Sequence, residues 1–160
     1  PVGFHLVACL YMAIGAGEIR LTTSDPHVQP WLDYNYLQEP VDRKRLREAV
    51  HIIIQLLRHE EMTKIVECRV TPTDADLDSD GALDEWLMRE ARTSHHVSAT
   101  CKMGPGSDPM AVVDQHGKVH GLESLRVADA SIMPDCVRAN TNATSIVIGE
   151  RVAAFIREGL

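Results

Sequence analysis

Four groups of residues in this 160-residue chain are of types that carry chemistry. His95 and His96 stand shortly before Cys101. Imidazole and thiolate are zinc ligands, but a closed zinc site draws four of them from paired sets. No second pair follows, so these residues are read as holding no metal. Asp76-Leu-Asp-Ser-Asp-Gly81 matches the first half of a calcium-binding EF-hand loop, whose twelfth residue is a bidentate Glu. Here the twelfth residue is Leu87, and the stretch reads as a solvated acidic loop, with Asp84 and Glu85 favouring the start of the next helix. Gly15-Ala-Gly17 begins a GxGxxG pattern, but Arg20 stands where the third glycine belongs, so it is no dinucleotide loop. Cys9, Cys68, Cys101 and Cys136 form no CxxC pair and read as reduced thiols of a reducing compartment. His5, His27, His51, His59, His116 and His120 stand singly in loops or on helix surfaces.

The composition narrows the classes. The chain is 44% hydrophobic, enough for most of one core. A net charge of −7 and 4% aromatic residues argue against a nucleic-acid binder, which needs clustered Lys and Arg and rings for stacking. No stretch reaches the ~18–20 apolar residues that span a bilayer, and no signal peptide is visible. A cytoplasmic protein without a membrane span is expected. The chain opens on Pro1 and runs at once into an apolar segment, which predicts a piece of something longer.

Periodicity supplies the elements. Residues 4–14 (FHLVACLYMAI) read as a buried strand, and 18–22 as a second, alternating one. Residues 24–30 are turn chemistry, with two prolines. The stretch 41–61 is an amphipathic helix with Asp42 as its N-cap. A short strand over 65–70 and a helix over 82–93 follow. From 94 to 139 the chain is irregular, with short strands near 112–113, 118–119 and 125–128. Residues 142–158 form a last helix closed by Gly159.

Beyond these patterns, four ordered blocks stand in the C-terminal half: S-H-H-V-S-A-T-C-K-M-G from Ser94, D-P-M-A-V-V-D from Asp108, K-V-H-G-L-E-S-L-R-V-A-D-A-S-I-M-P from Lys118, and N-T-N-A-T-S-I-V-I-G-E-R-V-A-A-F-I from Asn140. Together they resemble the C-terminal signature of the glucose-methanol-choline (GMC) oxidoreductases, choline dehydrogenase-like members most of all. Upstream, Gly17-Glu-Ile-Arg-Leu, Ser24-Asp-Pro, Pro30 and Asn35-Tyr-Leu37 extend the resemblance over about residues 6–158. One departure is Ala99, where the family often has Gly, which implies that the backbone there does not need positive φ.

The resemblance implies a fragment of an FAD-dependent oxidoreductase acting on the CH–OH group of a small-molecule alcohol, with hydride transfer to flavin N5. His96 matches the family's active-site base, and an imidazole titrates near operating pH. His95 is the adjacent alternative, since neighbours in extended chain face opposite sides. Asn140 falls where the family has its second polar catalytic residue, to hydrogen-bond the substrate oxygen; capping the last helix is its competing role. Asp129, Ala130, Thr141, Asn142 and Ala143 match cofactor contacts, and Val97 and Ser98 line the same cavity. The last helix then aims its free N–H groups and positive end at the flavin.

The implied fold is α+β: a substrate-binding region over 1–93, an antiparallel sheet backed by helices, and a signature region over 94–160. The latter returns the C-terminal strand and helix to the FAD domain. No GxGxxG is present to hold the ADP moiety, so the N-terminal Rossmann half is expected to be missing and to act as the partner of this chain. Oxidase and dehydrogenase chemistry stay open, as does a non-catalytic remnant or accessory domain.

Overall fold

The computed structural model describes residues 3–160, so the first two residues of the predicted 1–93 region lie outside the described residues. The chain forms two compact units, one ending at Arg92 and the other running Thr93–Leu160.

The first unit is α+β. Strands β1 (Glu18–Arg20) and β2 (Trp31–Asp33) pair antiparallel, with Glu18 opposite Asp33 and Arg20 opposite Trp31. The expected antiparallel sheet is present as this two-stranded ribbon, which is exposed throughout rather than backed by helices. Gly17 leads into it because a Cβ there would lie 2.2 Å from the Asp33 carbonyl oxygen. Residues 4–14 do not form the predicted strand. Their apolar run contains the right side chains, but no described strand lies alongside to pair the backbone, and Val7 and Ile14 stay 75% and 63% exposed.

Helix α1 (Pro40–Leu57) starts with Pro at its first position, where the missing N–H costs nothing. It ends at Arg58, and the predicted reach to 61 is taken instead by a separate turn, α2 (Glu60–Thr63). The His59 side chain starts that turn by accepting the Glu61 amide. The expected strand over 65–70 does not form: the Ile65 and Val66 amides turn back onto the Met62 carbonyl, and the rest is irregular. A 3-10 turn (Ala75–Leu77) leads to helix α3 (Asp80–Glu90), which begins two residues before the predicted 82 because Ser79 caps it, accepting the Ala82 amide at 3.1 Å. Leu37, Val50, Leu83 and Leu87 form the core between α1 and α3, with Leu46, Ile54 and Trp86 packed on it.

The acidic loop is spent on this architecture. Asp76 accepts the Thr73 amide and hydroxyl and pairs with Arg89. Asp84 does not sit at the helix start; it lies a turn further in and binds Arg47 at 2.5 Å, while Asp80 pairs with the same arginine. The hydroxyl and amide of Thr73 and then Arg89 hold the Asp76 carboxyl below its ordinary value.

In the second unit the expected short strands shrink to isolated bridges, Met103 to Val113, Val113 to Val119 and Lys118 to Arg126. The turn that joins two of these passes needs Gly117, at φ +75°, where a Cβ would meet the Val127 carbonyl oxygen at 2.6 Å. Helix α4 (Asn142–Glu158) closes as the sequence predicts, on Gly159 at φ +74°. Val113, Ile132, Met133 and, from α4, Val152 are the buried large apolar residues of the second unit. All four cysteines are unbridged, Cys9 and Cys68 exposed and Cys101 and Cys136 half-buried. Among the described residues no helix is long and apolar enough to cross a membrane.

Candidate active site

All the residues singled out for catalysis and cofactor contact lie in the second unit, and backbone bonds explain how they converge. The chain from Ala99 to Met103 runs beside Ala130–Ile132. The amides of Ala99, Cys101 and Met103 donate to the carbonyls of Ala130, Ser131 and Ile132 at 3.3, 2.9 and 2.8 Å. Alternate amides of the first segment bond to successive carbonyls of the second, because Ala130–Ile132 is a 3-10 turn. Asp129 starts that turn, its carboxylate accepting the Ser131 amide at 2.8 Å. Asp129 and Ala130 are therefore fixed against the segment that follows His96 and Val97.

The bend just before that ladder is sharp. His95 has φ +64° and Ala99 has φ +66°, both in the left-handed region. The departure from Gly at position 99 was read as freedom from positive φ, and the structure corrects it: Ala99 adopts the conformation that Gly would take more cheaply. Holding the Ala99 amide on the Ala130 carbonyl fixes that geometry. Between the two positive-φ residues His96 is half-buried, while His95 and Val97 are exposed.

His96 meets the start of α4. Its Nδ1 lies 3.2 Å from the Thr141 hydroxyl, across 45 residues of sequence. Thr141 occupies the N-cap position but makes no side-chain capping bond. Its carbonyl accepts both the amide and the hydroxyl of Ser145, at 2.9 and 2.8 Å. Asn140 immediately precedes it, exposed and outside the helix, so the N-cap role weighed for Asn140 belongs to Thr141. Asn142 and Ala143 form the exposed first turn, where amides lack intrahelical partners and the helix dipole is positive.

The structure thus gathers His96 with Thr141, and through it with Asn140, Asn142 and Ala143. It ties Asp129 and Ala130 to the other end of the same short segment. An open cavity of about 230 Å³ beside α4, lined by Met103, Ile132, Val147, Val152 and Phe155 among others, includes none of these residues. The His96–Thr141 contact was missed from the sequence. Thr141 was assigned to the cofactor, and nothing in local spacing signals a bond across 45 residues.

Comparison with known proteins gives the family. A family profile described as GMC oxidoreductase matches residues 14–149. An oxygen-dependent choline dehydrogenase from Cronobacter sakazakii is 43% identical over 141 residues, 88% of this chain and 25% of that protein. Oxygen-dependent choline dehydrogenase 1 from Chromohalobacter salexigens is 38% identical over 97% of this chain and 28% of its own length. Among solved structures, pyridoxine 4-oxidase from Mesorbium loti matches with a TM-score of 0.81 and 30% identity, covering 89% of this chain and 27% of that one. Formate oxidase from Aspergillus oryzae, in a structure addressing FAD modification, gives a TM-score of 0.81 at 29% identity, over 90% of this chain and 25% of its own. The chain spans about a quarter of the length of the relatives it matches.

Proposed function

The chain belongs to the GMC oxidoreductase family and is choline dehydrogenase-like, and on that basis we propose that it forms the substrate side of an FAD-dependent enzyme oxidising the CH–OH group of a small alcohol. The observation that supports this best is the 3.2 Å contact joining His96 to the residue before α4. That residue, Thr141, stands at the amide end of the helix and directly follows Asn140 in the chain.

His96 takes the hydroxyl proton of the alcohol. A neutral imidazole does this near neutral pH without help from a stronger base. Asn140 donates its amide N–H to the substrate oxygen and orients the α-carbon without itself titrating. The residues fit a flavin: the first turn of α4 offers amides that Thr141 does not cap, a donor set suited to an acceptor edge that gains negative charge. Asn142, Ala143 and Thr141 on that turn, with Asp129, Ala130 and Val97, would hold it. When bound, FAD supplies the hydride acceptor. The residues holding its ADP moiety lie outside these 160 residues, which contain no GxGxxG. In this reading residues 1–93 shape the substrate side, and 94–160 complete the flavin site.

The test is flavin retention after desalting, measured by absorbance, for this chain alone and mixed with a folded FAD-binding half from a family member. Retention in the mixture, with bleaching on addition of an alcohol such as choline, supports the reading. A mixture in which both halves are folded and associated but no flavin is bleached by any alcohol tried would overturn it in favour of a non-catalytic accessory domain.

A further inference from the structure

We infer that the Thr141 hydroxyl is a positioning group for His96: it accepts a hydrogen bond from Nδ1–H and so fixes the tautomer in which Nε2 bears the lone pair. This deepens the proposed function and rests on its assignment of His96 as the base.

Three observations lead there. The Thr141 oxygen is 3.2 Å from His96 Nδ1, the nitrogen nearer the backbone. An N-cap Thr ordinarily turns its hydroxyl onto the amides of its own helix. Thr141 does not; it has helical backbone angles (φ −78°, ψ −10°) and makes no capping bond, so its oxygen is turned to the imidazole instead. Finally, Thr141 is held in place from below, since Ser145 puts both its amide and its hydroxyl on the Thr141 carbonyl. A β-branched side chain on a fixed backbone has few rotamers, which holds the hydroxyl where the ring meets it.

A neutral imidazole carries one proton, and the bond made by one nitrogen decides where it sits. A hydroxyl can donate or accept, so geometry alone allows both tautomers. The chemistry selects one. A base needs a lone pair on the nitrogen that receives the proton, and Nδ1 is the nitrogen facing Thr141. The proton therefore sits on Nδ1 and the Thr141 oxygen accepts it. When the substrate O–H bond breaks, the proton forms a new N–H bond at Nε2, and the O–H electron pair stays on the substrate oxygen. The Nδ1–H to Thr141 bond is unchanged by that step, so the ring keeps its orientation in both protonation states.

The experiment is long-range ¹H–¹⁵N correlation spectroscopy of the uniformly ¹⁵N-labelled 160-residue chain, which distinguishes Nδ1–H from Nε2–H for the assigned His96 ring. The wild-type chain is expected to show mainly Nδ1–H. Thr141→Val keeps the shape and deletes the oxygen; it should shift the tautomer ratio toward Nε2–H by about two- to tenfold, the range of one net hydrogen bond. Thr141→Ser should restore the wild-type pattern, and the amide spectrum of each variant reports whether α4 remains folded. A wild-type ring protonated on Nε2, or a ratio unchanged in a folded Thr141→Val chain, would overturn the inference. The readout uses neither flavin nor alcohol, so it fails independently of the flavin-bleaching test.

Discussion

Asp42 reaches back 28 residues to Ile14, its two carboxylate oxygens 3.1 and 3.0 Å from the Ile14 amide, and one of them also accepts the Gly15 amide at 2.9 Å. The side chain is almost fully buried, with Arg45 3.5 Å away as counter-charge. Asp42 was expected to cap α1. It lies inside the first turn instead, and it ties the segment before β1 to the helix. Removing it leaves two backbone donors without their acceptor. Asp42→Ala should therefore destabilise the first unit by about 1.5–3 kcal/mol, the range for hydrogen bonds to a charged group. Urea unfolding followed by a probe at Trp31 or Trp86 measures this, and a loss below about 0.5 kcal/mol would show that the amides find water at no cost.

Ala99 at φ +66° predicts a gain from glycine. An L-residue in the left-handed region costs about 1–2 kcal/mol, partly offset by the greater entropy of Gly in the unfolded chain. Ala99→Gly should raise the stability of the second unit by about 0.5–1 kcal/mol, read as a higher urea midpoint at unchanged slope. An equal gain from Ala111→Gly, a residue outside the left-handed region, would remove the conformational explanation.

Acid should loosen the second unit through Asp114. Partial burial pushes its carboxyl up, but the amides of Lys118 and His116, with the charges of those residues, outweigh burial and hold it below its ordinary 3.8. A depressed carboxyl contributes stability that is present above its unfolded value. That contribution is lost as pH falls below about 4 toward the folded value. Asp108, held low by Lys102 at 2.9 Å and by the Met110 amide, acts in the same sense. Asp114→Asn keeps an acceptor for both amides and removes the charge, so the acid loss between pH 5 and 3 should flatten in that variant. Circular dichroism of both chains across that range decides it; parallel curves would exclude Asp114 as a source.

What the sequence revealed and what it hid follow one physical division. Helices were legible where periodicity and end signals agree: Gly159 after α4 marks an end that local chemistry alone determines, whereas the Ser79 cap that starts α3 at Asp80 went unread and the start was placed at 82. Family membership was legible from ordered blocks, and the structure brings the blocks at His96, Asp129 and Asn140 together. The failures concern partners distant in sequence. Residues 4–14 have strand composition, but a strand needs a neighbour and none lies alongside among the described residues. Strand β2 was hidden because Trp31-Leu-Asp33 is too short to show alternation and exists only by pairing with Glu18–Arg20. Asp42 looked like a cap by position, and only the return of Ile14 reveals its use. Ala99 looked permissive because an alanine does not announce the φ its neighbours impose.

Rates should separate the two catalytic assignments. If His96 is the base, His96→Ala in the complemented, flavin-loaded sample removes proton transfer to a positioned group, a loss of about 10²–10⁴-fold in the rate of flavin bleaching by alcohol. Flavin retention should be unaffected, because the first turn of α4 stays intact. Asn140→Ala removes one oriented donor to the substrate oxygen and should slow bleaching by about 10²–10³-fold. Its competing role as a helix cap predicts something different: lost stability with the rate per folded molecule unchanged. Thr141 already fills the N-cap position and Asn140 stands outside the helix, which favours the kinetic outcome. His95→Ala is the control, since His95 is exposed where His96 is half-buried, and it should bleach within about threefold of wild type. A collapse of rate in His95→Ala with near-normal bleaching in His96→Ala would reverse the assignment of the base.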